Sequence, residues 1–425
     1  MSAVPIISVT GTKGKTTTVA VIADVLQKLG RDVLKVDTTG HFINGERRST
    51  LEDSKRYWRL VPSVAPGRYL WEFFAHPELV DNGVAVLECS LGSSSVRGMS
   101  YAYHDVGVFL NVFEDHIGSS SRINNKEDIA KAKSFIFSKI KRDGYAVFNA
   151  DDELVTKTLE VIPEYHEPVN LIPCGLTFEH FDLERHLNAG GVALTVDTDR
   201  NIVLRTRESD TVLVDLKNIP WTFDGVFVPS VWNMISAVGA LYAYYGGELP
   251  TGFRDAVESV RLDRYGGRLT LLRNEAGVTV LADYAHEKVS LGMVGELART
   301  KVKENGKVIG VVRLAHDRSD DLMRETGRVI APYYDSFVVY DKIDGHFRQA
   351  KDANIFPQIV GRTSEIFAGA IKEINPNVER ILREDEAIAR AAEIARPGDV
   401  VVVIVNDDIK RSIEFIQEKF KADFV

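Results

Sequence analysis

With 425 residues, 44% of them hydrophobic and 27% charged, the chain can bury a large core and should divide into about two or three domains, which speaks against a disordered protein. A net charge of −9 argues against nucleic acid or an acidic membrane as the partner of the whole surface. The only two cysteines, Cys89 and Cys174, supply neither a disulfide framework nor a Cys-based metal site.

In chain order, the opening segment MSAVPIISVTG enters a glycine loop too soon for a signal peptide, and no stretch approaches about eighteen consecutive apolar residues. A soluble, cytoplasmic protein is therefore expected. Ile6, Ile7 and Val9 read as a strand and TTVAVIADVLQKLG as a helix, with Gly11-Thr12-Lys13-Gly14-Lys15-Thr16 between them. A loop so placed turns backbone N–H groups and a helix N-terminus toward one anion, while Lys15 reaches terminal phosphates and the Thr16 hydroxyl can hold Mg²⁺. The general pattern G-x-x-x-x-G-K-[ST] would need glycine where Val9 stands.

Further strands are expected in RDVLKVDT, GVAVLECS, DVGVFLNVF and GYAVFNA, apolar runs of the kind that form a parallel sheet covered on both faces. Glu88 closes the second of these strands, so its carboxylate should emerge at the same carboxyl edge as the phosphate loop and offer a hard cation an oxygen ligand. His116, in NVFEDH, reaches that edge too, although a lone histidine is more often a structural hydrogen bonder. Taken alone, Lys133 reads as a helix-surface lysine. From about 169 to 228 the segments GVALTVDTD, NIVLRTRE and TVLVDLK alternate, which predicts a small antiparallel insertion; the helical run VWNMISAVGALYAYYGG follows.

A second α/β cycle begins near Arg264, with strands in GRLTLLRN, GVTVLADYA, KVIGVVRLA, SFVVYD and DVVVVIVND and helices between them. The turn-prone Asp263, Gly266 and Gly267 place the boundary, giving units 1–263 and 264–425. The fold class expected is α/β: a P-loop-type, mostly parallel ATPase domain with a small antiparallel insertion, then a Rossmann-like C-terminal domain.

The phosphate loop, Glu88 in LECS, Asn111 and His116 in NVFEDH, Lys133 in AKAKSFIF, Asn149 in FNADD, Gly267-Arg268 and Asp283 to His286 in DYAH together resemble the Mur ligase superfamily in order and spacing. Within it, DTTGHFINGERR, DVGVFLNVFEDHIG, DRSDDLMRETGR and ARPGDVVVV look most similar to the C-terminal ligase half of the cyanophycin synthetases. The resemblance implies an ATP-dependent, ADP-forming ligase that activates a carboxylate as an acyl phosphate and joins it to an amine on amino-acid or peptide-like substrates. It implies ATP phosphates held by Gly11, Thr12, Lys13, Gly14, Lys15, Thr16 and Thr17, one Mg²⁺ on Thr16 and Glu88, and a second Mg²⁺ on His116. Lys133 matches a lysine that is carbamylated in several members. Asn233 and Arg268 match positions near the adenine, Asp283 the ribose, and His286, Asp317 and Arg318 the amine substrate. Lys15, Lys133, His116 and Glu88 form the implied catalytic set.

Departures from the family pattern lie at Ser230, at Glu287-Lys288 and at His316, the last two where the second substrate belongs, so a different substrate is expected. The chain begins at the phosphate loop, from which the absence of an N-terminal substrate domain is expected. That motivates a competing reading as a nucleotide-binding partner or regulatory subunit with a degenerate ligase fold. No nucleic-acid or membrane partner is expected; a homodimer or a partner ligase subunit is.

Overall fold

The computed structural model describes residues 4–50, 53, 61–95, 98–114, 122–162, 168–266, 269–285, 287–315, 318–341, 359–406 and 408–425. Its contacts divide into Met1–Arg261 and Leu262–Val425.

In the first unit, eleven strands form one sheet: β1 (Ile6–Thr10), β2 (Asp32–Asp37), β3 (Gly40–Ile43), β4 (Glu46–Thr50), β5 (Gly83–Glu88), β6 (His104–Phe109), β7 (Ile140–Asn149), β8 (Asn170–Cys174), β9 (Ala193–Val196), β10 (Asn201–Arg205) and β11 (Asp210–Asp215). Their spatial order is β11-β10-β9-β8-β7-β6-β1-β5-β2-β3-β4. Every residue of β1 and β5 is buried, as expected where helices cover both faces. Strands β2, β5, β1, β6, β7 and β8 run parallel. The carboxyl ends of β1, β5 and β6 therefore lie side by side.

The small antiparallel insertion expected at about 169–228 is present as β9, β10 and β11, which belong to the same sheet as the parallel strands. Asn170–Cys174 pairs parallel with β7 and with β9 and extends the sheet, and the antiparallel pairs β9-β10 and β10-β11 lie beyond it. A second antiparallel edge, β2-β3-β4, closes the other side. Its turn is Asn44-Gly45, with φ of 49° and 78°, the left-handed pair that matches the twist of a two-residue hairpin. The helix Lys15–Lys28 buries Val19, Ile22, Val25 and Leu26 on the sheet. The helix Val228–Tyr244 is apolar nearly all round and stops before Gly246 and Gly247, both at positive φ.

The second unit holds β12 (Thr270–Asn274), β13 (Thr279–Asp283), β14 (Val308–Val312), β15 (Ser336–Val339), β16 (Val378–Arg380), β17 (Val400–Ile404) and β18 (Ala422–Phe424). Their order is β16-β15-β14-β17-β13-β12-β18. Five strands are parallel, and β12 pairs antiparallel with both β13 and β18. Valines and isoleucines of β13, β14 and β17 pack with Ile413, Ile416 and Phe420 of the last helix, Ile409–Phe420.

Candidate active site

The loop after β1 is fastened to residues 111–113, which follow β6. Asn111 Oδ1 accepts from Thr12 N (3.1 Å) and Lys13 N (2.8 Å), and Asn111 Nδ2 donates to the Lys13 carbonyl (3.1 Å). The Asn111 carbonyl accepts from Thr12 N as well, at 2.9 Å, and Phe113 N donates to Thr12 Oγ1 at 3.0 Å. With Thr12 and Lys13 so engaged, the loop's anion-binding capacity falls to the first helical turn, whose N–H groups have no acceptor within the helix. Gly14 opens that turn at φ +84°, and a Cβ there would stand 2.1 Å from Asn233 Oδ1. Asn233, on the helix Val228–Tyr244, is thus packed against the phosphate loop. Lys15 folds back over the loop, its Nζ donating to the Thr12 carbonyl at 2.9 Å. Thr17 lies partly buried on the same turn.

Glu88 ends β5 with 2% exposure. Its Oε2 accepts from Thr16 Oγ1 (2.9 Å) and Thr38 N (3.2 Å), and its Oε1 from Thr38 Oγ1 (2.9 Å). The fold therefore joins Thr16 and Glu88, which stand 72 residues apart in the chain. Thr38 Oγ1 lies 3.2 Å from Ser63 Oγ. Carboxylate and hydroxyl oxygens of this kind are a donor set suited to Mg²⁺, which prefers oxygen and keeps part of its shell for water and phosphate. Among the described residues, no group of three or more His, Cys, Asp or Glu side chains converges as a metal cage.

Lys133 contradicts its reading as a surface lysine. It closes the helix Lys126–Lys133, whose N-terminus is capped by Asn125 accepting from Asp128 N at 2.8 Å, and it is only 3% exposed. Burial pushes the neighbouring Cys89 thiol up to about 12, against which the Lys133 charge pulls downward. The lysine thus acts on the end of β5 where Glu88 stands. Asp152 accepts from Val112 N at 2.8 Å and caps the next helix, and burial raises its carboxyl despite those bonds.

In the second unit, Asp283 ends β13; its Oδ2 accepts from Leu269 N at 2.9 Å and its carbonyl accepts from Val405 N at 2.8 Å. Arg318 is partly buried just before the helix Asp320–Ile330. His116, Arg268, His286 and Asp317 lie outside the described residues. The sequence reading passed over Thr38 and Ser63, and it took Asn111 only as part of a motif. Thr38 follows β2, the neighbour of β5, so knowledge of the strand order would have pointed to it.

Comparison with known proteins gives the family and the fold. The Mur ligase middle domain matches residues 9–172, and the Mur ligase glutamate ligase domain matches 267–404. Cyanophycin synthetase of Nostoc sp. is 29% identical over 97% of this chain and 42% of its own length. UDP-N-acetylmuramoyl-L-alanyl-D-glutamate–2,6-diaminopimelate ligase of Clostridioides difficile is 24% identical over 94% of the chain and 72% of its own length. The chain spans less than half the length of the cyanophycin synthetases it matches. In structure it is similar to E. coli FolC in complex with ADP (TM-score 0.66, 17% identity, 99% of this chain and 90% of that one). MurF from Acinetobacter baumannii superimposes with a TM-score of 0.62 at 16% identity, over 99% of this chain and 77% of that one.

Proposed function

The chain belongs to the Mur ligase superfamily, and from that premise we propose that it is an ATP-dependent, ADP-forming ligase joining the carboxylate of one amino-acid or peptide-like substrate to the amine of another. The observation that carries this reading is the contact of Thr16 with Glu88 beside the Lys15 loop. It gathers, at one sheet edge, the groups that phosphoryl transfer to a carboxylate requires.

Transfer of the γ-phosphoryl group to a carboxylate brings anions together, and positive charge must offset their repulsion. Lys15 and the first-turn amides hold the phosphates. Thr16 and Glu88 would hold Mg²⁺, which when bound supplies charge neutralisation; His116 is the candidate for a second ion. The carboxylate oxygen bonds to the γ-phosphorus as the bond to the ADP oxygen breaks. The amine nitrogen then attacks the acyl carbon, and phosphate departs from the tetrahedral intermediate as the nitrogen loses its proton. Lys133, carbamylated or not, belongs beside the transferring group. Asn233 and Arg268 are assigned to the adenine, Asp283 to the ribose, and His286, Asp317 and Arg318 to the amine side. No helix among the described residues is long and apolar enough to cross a membrane. The enzyme is assigned to the cytoplasm, as a homodimer or with a partner ligase subunit.

Hydroxylamine tests the acyl phosphate, because it captures one as a hydroxamate. ATP-dependent hydroxamate accumulation with an acidic peptide is the expected result, with Lys15→Ala reducing it by about two orders of magnitude or more. Unchanged hydroxamate formation in Lys15→Ala would remove the loop from the mechanism. Glu88→Gln should raise the Mg²⁺ concentration for half-maximal rate by about tenfold or more, and a superimposable Mg²⁺ titration would take Glu88 out of the metal site.

A further inference from the structure

Arg313 follows directly on β14 and is wholly buried. One hydrogen bond holds its head, from Nη2 to the Val405 carbonyl at 2.7 Å. Nε and Nη1 are buried and have no hydrogen-bond partner among the described residues. The face of the guanidinium lies against Tyr284, with Cζ 4.9 Å from the ring centroid, which leaves the in-plane N–H donors of Nε and Nη1 unanswered. No carboxylate among the described residues forms an ion pair with it. A guanidinium keeps its charge, so this is a buried cation short of acceptors, and an unbranched apolar side chain of similar volume would fill the space without that penalty.

The position explains why such a group is tolerated. Val405 follows β17 and Tyr284 follows β13, so the guanidinium sits at the carboxyl ends of three adjacent parallel strands. The chain leaves β14 toward β15 on one side, whereas it leaves β17 toward β18 at the opposite edge of the sheet. Neighbouring strands whose continuations diverge open a crevice between their ends, the place where open α/β sheets bind ligands. Tyr284, whose ring the guanidinium faces, is partly exposed.

We propose that Arg313 is a substrate-binding residue that selects the amine-bearing amino acid by its carboxylate, which accepts from Nε–H, a donor that the Val405 bond leaves open. A guanidinium matches carboxylate and phosphate oxygens through the same donors, so both oxyanions are ligands in principle; the assignment to a carboxylate rests on the ligase reading, in which the second substrate is an amino acid. Arg313 acts there as a receptor and transfers no proton.

The test uses the full chain without nucleotide, followed by calorimetry and thermal melting. The probes are L-glutamate, L-aspartate, L-lysine and L-arginine, each beside its α-carboxamide, with inorganic phosphate as a separate arm. The expected result is that at least one amino acid binds wild-type protein saturably and at least tenfold more tightly than its carboxamide. In Arg313→Met that difference vanishes while the ligand-free Tm stays equal or rises, and Arg313→Lys retains part of the preference. Four results would overturn the proposal: no amino acid binds the wild type; Arg313→Met discriminates as wild type does; Arg313→Met loses Tm yet binds unchanged, marking a purely structural arginine; or phosphate alone binds in an Arg313-dependent way. Should Arg313→Met fail to fold, Arg313→Lys decides by the same carboxylate-to-carboxamide ratio, with an undiminished ratio counting against the proposal. Binding through Arg313 without any ADP release would defeat the ligase reading and leave the receptor standing; amine-dependent ADP release whose KM is unmoved in Arg313→Met would do the reverse.

Discussion

His104 lies wholly buried on β6, with Nε2 donating to the Ile136 carbonyl at 2.7 Å. Burial, opposed by that bond and by Asp105, lowers its pKa from the ordinary 6.5 to about 4. The sign follows from proton binding. Between about 6.5 and 4 the unfolded chain takes up a proton that the folded chain refuses, so stability falls as pH falls through that window and is fully present above it. The amount is on the order of 3 kcal/mol. His104→Gln, which keeps a donor for Ile136, should flatten the acid limb of urea-unfolding stability; a limb as steep as wild type would assign it to other groups. Lys133 belongs to the same scale. Spacing alone reads it as a helix-surface lysine, and no local pattern reveals its burial, whereas the ordered set of motifs did single it out.

Among the elements, the strand-loop-helix that opens the chain was legible because its signals are local: β-branched residues, a glycine loop and a periodic apolar face. Its tightest constraint is not. Gly14 combines a left-handed φ of +84° with a Cβ position 2.1 Å from Asn233 Oδ1, and Asn233 arrives from a helix more than two hundred residues later. Gly14→Ala should therefore cost roughly 1–2 kcal/mol in backbone strain plus a steric penalty. Adding Asn233→Ala should recover the steric part alone. A urea double-mutant cycle with no coupling between the two would contradict the contact. The parallel strands were readable because burial on both faces makes them continuously apolar. The hairpin β3-β4 went unread although Asn44-Gly45 announces it, while β16 and β18 are too short, at 3 residues each, to carry a pattern. The antiparallel segments β9, β10 and β11 were readable by their alternation, whereas β8 carries no such pattern and is defined by its parallel pairing with β7 and β9.

For the whole molecule, the sheet order does what the linear chain cannot, bringing Thr16, Thr38, Ser63, Glu88 and Asn111 to one edge. Thr16 and Glu88 could be anticipated as ends of recognisable elements; Thr38 and Ser63 could not, because their role depends on β2 standing next to β5. Arg313 escaped for a similar reason, since nothing local marks a buried, unsatisfied guanidinium until β17 is placed beside β14. The central claim is that this edge spends ATP to join a carboxylate to an amine. Its most direct test is ADP release by the purified chain with Mg-ATP across aspartyl and glutamyl peptides combined with arginine, lysine or glutamate. The expected result is release that depends on both a carboxylate acceptor and an amine, with an amide product in equal amount. Steady hydrolysis indifferent to either substrate, or no turnover with tight nucleotide binding, would contradict it and favour a nucleotide-binding subunit.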